Sequence, residues 1–363
     1  MNDLSRLEDE LLSIEARIGL LEACRPIGLA REQERLHGLL SSASRPDPAD
    51  LVPRLEFPVR PAVEPELVRL EQVLRALARG ASVESGRILA ERTEELLLDA
   101  ELVRARGTPG MVSLARRRFV GSLPDERQEA DRTAAQWIEQ ALREPEGEQE
   151  DLVGLAAELR RLLVLLGLDI AVHEVDMAAR AAVSDQALLV QSAAHVTRKQ
   201  AARIVMHEVL GHLLPRKAGR LSGPPFRIGP RGADADEEGR ALHLEMVGGY
   251  VDTERRLELS VRHVLAAHVL DGGHVGEKVA RLHAQGVSAG LLATVAPRVV
   301  RAGGLCREVV YLPGLLRVGP RLADPDVETV FRAGRATLAE VAVLRRLLPS
   351  AAGYQSSSAT TGV

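Results

Sequence analysis

The chain is 363 residues long, 45% hydrophobic and 27% charged, with a formal net charge of −4. That is enough apolar content for a packed core, and it excludes a globally disordered chain or one that binds nucleic acid or an anionic membrane through a basic surplus. Only 2% of the residues are aromatic, too few for a base-stacking platform or a membrane girdle. Arginine dominates the basic residues, with Lys199, Lys217 and Lys278 as the lysines, a bias that reads as genomic base composition. Cys24 and Cys306 supply neither a disulfide framework nor a paired thiolate motif. The N-terminus is acidic and amphipathic, without an apolar signal core. The apolar run 162–172 contains Asp169 and is too short to span a bilayer. A soluble, reduced, cytoplasmic protein is expected, with no nucleic-acid or membrane partner.

Apolar residues recur at spacings of three and four through most of the sequence, so helix dominates. Residues 4–23 form the first such stretch, with Leu7, Leu11, Ile14, Ile18 and Leu21 along one stripe. Residues 41–64 carry serines and five prolines and read as an extended connection. Helical patterns resume at 65–79, 83–106, 111–120 and 126–143. The charged, proline-containing stretch 143–151 is the best subdomain boundary. A helix follows at 151–166, then strands at 168–175 and 186–191. Helices are expected again at 197–214, 235–256, 258–270, 275–286, 307–317 and 326–348, the last interrupted near Gly334. The small, polar tail reads as disordered. The expected division is an N-terminal helix and linker (1–62), a helical subdomain (63–150), a catalytic domain (151–349) and the tail (350–363).

The informative segment is Met206-His-Glu-Val-Leu-Gly-His212. Two histidines on one helix with a glutamate after the first is the layout of zinc peptidases: the imidazoles bind the ion and the glutamate takes a proton from water. The usual separation of four residues puts the histidines about 40° apart around the helix axis. His207 and His212 are five apart, roughly 140° on a regular α-helix, so one ion can be shared only if that turn holds an extra residue, as in a π-bulge. Gly211 would ease such a distortion. Without it, both histidines are ordinary half-buried helix residues. His263 and His268 repeat the spacing without the glutamate and read as surface or core histidines. A third protein ligand is needed, and Asp234-Ala-Asp-Glu-Glu-Gly-Arg-Ala-Leu-His-Leu-Glu245 offers several. Spacing does not choose among Glu237, Glu238, His243 and Glu245, and the acids also suit a plain helix start.

The run Ile204–Gly219 resembles the His-Glu segment of the QEGLA-motif metallopeptidases. Bacterial members are flavohaemoglobin expression-modulating proteins, and animal relatives are microtubule-associated tyrosine carboxypeptidases acting on tubulin. Glu237-Glu-Gly-Arg-Ala241, Leu244–Tyr250, Arg301–Gly314 and Glu94–Pro109 are similar to further blocks of that family, so the resemblance spans about 60–348. It implies an α+β, predominantly helical, zincin-like metallopeptidase with a small β-sheet before the active-site helix. One zinc per chain would be held by His207, His212 and Glu238, with Glu208 as general base. The implied reaction is hydrolysis at or near the C-terminus of a peptide or protein. An endopeptidase maturing a small peptide, or a non-catalytic zinc-binding regulator, are the alternatives. Candidate cations for a terminal carboxylate are Arg216, Arg301 and Arg307, and Tyr311 is a candidate oxyanion donor. The sequence departs from the family pattern at Leu210, Gly211, Ala218, Arg240 and Arg307, so tubulin specificity does not carry over.

Overall fold

A computed structural model describes residues 3–42, 46–59, 62–80, 84–120, 124–144, 151–175, 180–183 and 187–348. The expected boundary at 143–151 and the tail lie largely outside these residues. The fold is predominantly helical with two small sheets, as the α+β reading expects. Among the described residues no helix is long and apolar enough to cross a membrane.

Most helices fall where periodicity placed them: Glu64–Gly80, Glu84–Ala105, Met111–Phe119 and Pro124–Ala141. The first stretch breaks in two, Asp3–Ile18 and Leu20–Ala23, because Gly19 adopts a left-handed conformation at φ 48°. The helices expected at 235–256 and 258–270 are Ala233–Val247 and Thr253–Leu270, the break falling earlier, at Gly248 and Gly249, with Asp252 capping the second. Two helices of more than ten residues have no counterpart in the sequence reading, Leu29–Ser42 and Ala289–Val299.

Among the described residues, five strands lie between residues 152 and 197. β1 (Leu152–Gly154) pairs antiparallel with β5 (His195–Thr197). β2 (Ala171–Val175), β3 (Ala181–Val183) and β4 (Ala187–Gln191) form a second sheet in the order β2-β4-β3, with β2 parallel and β3 antiparallel to β4. Leu188 and Val190 of β4 are fully buried in one apolar cluster with Leu155, Leu159, Val205 and Val209. The sheet therefore packs directly against the segment that carries the two histidines.

That segment begins at a strong stop. Thr197 accepts a hydrogen bond from the Gln200 amide while the Gln200 side chain bonds back to the Thr197 amide, a reciprocal cap at the end of β5. The helix Arg198–Ile204 then passes without interruption into a π-helix, Val205–Leu213, and back to α-helix over Leu214–Ser222. The helix Ala233–Val247 is wedged beside this wide turn by glycine contacts. A Cβ on Gly211 would lie 2.6 Å from the Ala241 Cβ, and one on Gly239 would lie 2.3 Å from the Gly314 carbonyl oxygen. Both distances are shorter than side-chain atoms tolerate, so the backbones meet only because these positions are glycine. Gly211 serves this close approach, whereas the sequence suggested a role in easing the helix distortion.

Candidate metal centre

The π-helix supplies the geometry that five-residue spacing demands. With bonds running i→i+5, residues five apart stand above one another on one face. His207 Nε2 and His212 Nε2 are accordingly 3.4 Å apart. The wide turn has its own support. Leu214 donates its amide to the Val209 carbonyl in the i→i+5 pattern, but the next donor in line is Pro215, which has no N–H. Arg240 fills the gap: its Nη1 donates to the Leu210 carbonyl at 2.8 Å and the Gly211 carbonyl at 2.9 Å. Burial lowers the Arg240 pKa to about 10, which leaves it cationic at neutral pH.

Of the four candidate third ligands, tertiary packing brings Glu238 to the histidines. Its Oε2 lies 3.3 Å from His207 Nε2 and 3.7 Å from His212 Nε2, and the three residues form a group able to hold a metal ion. Tetrahedral coordination at about 2.0–2.1 Å puts ligand atoms about 3.3 Å from one another, so the triangle already has nearly the size zinc requires. Glu238 Oε2 is also buried without a hydrogen-bond partner, which is the condition of an atom reserved for a cation. The donor set, two imidazoles and a carboxylate, is that of a catalytic zinc site with an open position.

The other candidates do different work. Glu245 lies beneath His207, its Oε1 2.7 Å from Nδ1 as an ion-pair contact, and accepts two hydrogen bonds from Arg255, both at 2.9 Å. Glu237 accepts from Arg335 at 3.1 Å and stands 4.0 Å from His212 Nδ1, too far for a hydrogen bond. His243 lies against Gly319. Asp234 and Asp236 make no side-chain cap for their own helix. Instead Asp234 pairs with Arg118 at 2.9 Å, and Asp236 accepts from Thr337 and the Leu338 amide at 2.6 and 2.8 Å.

Charge within the site is tightly arranged. Burial alone would raise Glu238, but Arg307 and the two imidazoles hold it well below the usual carboxylate range. Glu245 is likewise lowered to about 2 against its burial, by Arg255 and then His207. Burial would lower His207, yet the facing carboxylates Glu238 and Glu245 push it up to about 10. A divalent cation at Nε2 therefore competes with a proton there. Glu208 adds to this field and is half-buried beside His207.

The residues expected to meet substrate are distributed unevenly. Arg307 donates to Glu238 Oε1 at 2.9 Å and to the Tyr311 hydroxyl at 2.8 Å, so it holds the carboxylate with the other oxygen toward the histidines. Tyr311 is buried among Leu242, Leu259, Leu312 and Leu315. Arg301 bonds Glu308 at 3.2 Å, which also accepts from Arg298 at 3.0 Å. Arg216 stands 3.8 Å from Glu237 and lines, with Arg307, Arg335 and Glu15, a cavity of about 340 Å³. His263 is buried on Asp131 at 2.8 Å and His268 faces the His274 carbonyl at 3.2 Å; both sit outside the triad. Sequence reasoning missed Arg240, Arg255 and the bracing role of Glu245. Glu245 had a usable signal, since it follows Glu238 by seven residues and so shares its helix face.

Residues 52–352 match the family model of the microtubule-associated tyrosine carboxypeptidase. The chain belongs to this family. The match covers the histidine pair, Glu238 and every residue that braces them, while residues 1–51, including the helix Asp3–Ile18, lie before it. No curated protein and no solved structure matches the chain.

Proposed function

We propose that this member of the microtubule-associated tyrosine carboxypeptidase family is a zinc-dependent peptidase that cleaves at or near the C-terminus of a peptide or protein. The observation that carries the reading is the triangle of His207 Nε2, His212 Nε2 and Glu238 Oε2, 3.3–3.7 Å on a side, with a glutamate next to the first histidine. Zinc in that triangle would polarise a peptide carbonyl and make a water more acidic. Glu208 takes the water's proton and returns it to the departing amine. Arg307 keeps Glu238 ionised and oriented, and Glu245 fixes His207 as the tautomer that presents Nε2. A structural zinc site needs neither a base nor an open position, which favours an enzyme over a zinc-binding regulator. We do not extend the reading to tubulin, because Leu210, Gly211 and Arg240 depart from the family pattern around the site.

Purified protein is expected to contain about one zinc per chain, lost in His207→Ala; a wild-type protein without zinc overturns the reading. Glu208→Gln should keep the metal and lose at least a hundredfold in turnover of a peptide library. Cleavage by the wild type should depend on a free rather than amidated C-terminus. Internal cuts in amidated peptides would instead make it an endopeptidase.

A further inference from the structure

A peptide that ends in this site brings a negative charge with it, and the charge pattern behind His207 is short of one. Glu245 is fully used by His207 and Arg255. Glu258 accepts from Arg255 at 2.7 Å and, through its other oxygen, from Arg262. Arg203 also faces Glu258, but at 3.9 Å, beyond hydrogen-bonding distance. Among the described residues this is its only ion-pair contact. Three guanidiniums thus share two carboxylates, one of which also serves a metal-ligand histidine. Neighbouring Glu308 is itself shared by Arg298 and Arg301 and cannot make up the difference.

Arg203 has the position and exposure of a group waiting for an anion. Its side chain is 19% exposed, so it is reachable yet desolvated enough for an unpaired guanidinium to cost free energy. It sits on the metal-binding helix four residues before His207, hence on the same side and about 6 Å along the axis. The carboxyl carbon of a terminal residue lies about 3.5 Å of extended chain beyond the scissile carbonyl, within the reach of an arginine so placed. Arg216, one turn after His212, is the competing candidate. Its Nε is buried without a hydrogen-bond partner, but Glu237 Oε2, 3.8 Å away, accepts no hydrogen bond from another arginine among the described residues, whereas both oxygens of Glu258 are taken, so Arg216 has a carboxylate available within the protein. Arg203 does not.

We propose that Arg203 receives the C-terminal carboxylate of the bound peptide, an assignment that rests on the C-terminal peptidase reading above. The test uses zinc-loaded protein with Glu208→Gln, which holds peptides uncleaved. N-acetylated tripeptides randomised at the last residue are offered as free acids and as amides, and the retained species are read by mass spectrometry. Retention of acids over amides is expected by about 10- to 100-fold, the value of a charge-assisted bidentate contact. Adding Arg203→Gln should abolish that preference with zinc content unchanged, and Arg203→Lys should restore part of it. A preference that survives Arg203→Gln, or that is lost in Arg216→Gln instead, overturns the assignment and leaves the peptidase reading standing. No acid preference in the parent protein overturns both.

Discussion

At the scale of single residues, the site is organised by pairs in which one group spends its charge on positioning another. Glu245 illustrates this: buried, held low to about 2 by Arg255 and His207 against its own desolvation, it offers a carboxylate to Nδ1 and leaves Nε2 for a cation. Carboxylates in that position raise the basicity of a ligand histidine and fix its orientation. Glu245→Gln is therefore expected to weaken zinc binding about 10- to 100-fold, read by competition with a chromophoric chelator on folded protein. An unchanged affinity would show that Glu245 serves only the ion-pair network. Arg307 plays the matching part for Glu238, and its 2.9 Å bond to Oε1 explains how one oxygen of a buried carboxylate stays oriented toward two imidazoles.

At the scale of elements, the decisive feature is a wide helical turn held between two backbones. The π-helix Val205–Leu213 puts the histidines on one face, Pro215 removes a donor at its end, and Arg240 replaces it. The neighbouring helix approaches closely enough to do this only because residue 211 has no side chain. Gly211→Ala should cost about 1–3 kcal/mol through overpacking, since its Cβ would sit 2.6 Å from that of Ala241. Gly290→Ala, on the helix Ala289–Val299 with nothing within 4 Å of the new Cβ, should be neutral or stabilising by up to about 1 kcal/mol. Urea titrations of both variants measure the contrast, and equal effects would remove the packing argument.

At the scale of the whole molecule, buried ion pairs tie the segments together. Glu8 accepts from the Arg227 and Ile228 amides, Glu15 pairs with Arg92 and Arg335, and Arg335 with Glu237, so the helix Asp3–Ile18 is linked to the layer that carries the candidate metal site. Despite burial, arginines hold Glu258, Glu308 and Asp234 below their ordinary values. A folded-state pKa below the unfolded one contributes stability that is present above about pH 5 and lost as pH falls. Glu8 and Asp99 oppose this: burial raises both, Asp99 to about 6, so their contribution is present at low pH and lost as pH rises, for Asp99 through about 6. Thermal midpoints should climb between about pH 3.5 and 5. A midpoint insensitive to acid would show that these pairs contribute nothing to stability.

The sequence made a large part of this visible. The five-residue spacing of His207 and His212 required an extra residue in the turn, and the structure has a π-helix there, because bringing two imidazoles to one point is a constraint on backbone geometry alone. Helices with one apolar stripe were legible for the same local reason. The helix Ala289–Val299 was not: Leu292, Val295, Ala296 and Val299 do recur on one face, but Pro297 stands inside it, and an internal proline reads in sequence as a helix break. Leu29–Ser42 escaped because a glutamate, Glu32, occupies its buried stripe with Leu36 and Leu40. β1, β3 and β5 are three residues each, too short for alternation to register.

By itself, then, the sequence determined the helical character, the paired histidines with their glutamate and the need for a widened turn, all properties of residues near one another in the chain. Spacing left Glu237, Glu238, His243 and Glu245 open, and the tertiary structure brings Glu238 to the histidines as the family resemblance implies; it also recast Arg307 as the holder of Glu238 and left Arg203 facing a carboxylate already taken. Those choices depend on where separate helices meet and on how many charges a buried space can balance, and local sequence does not encode either.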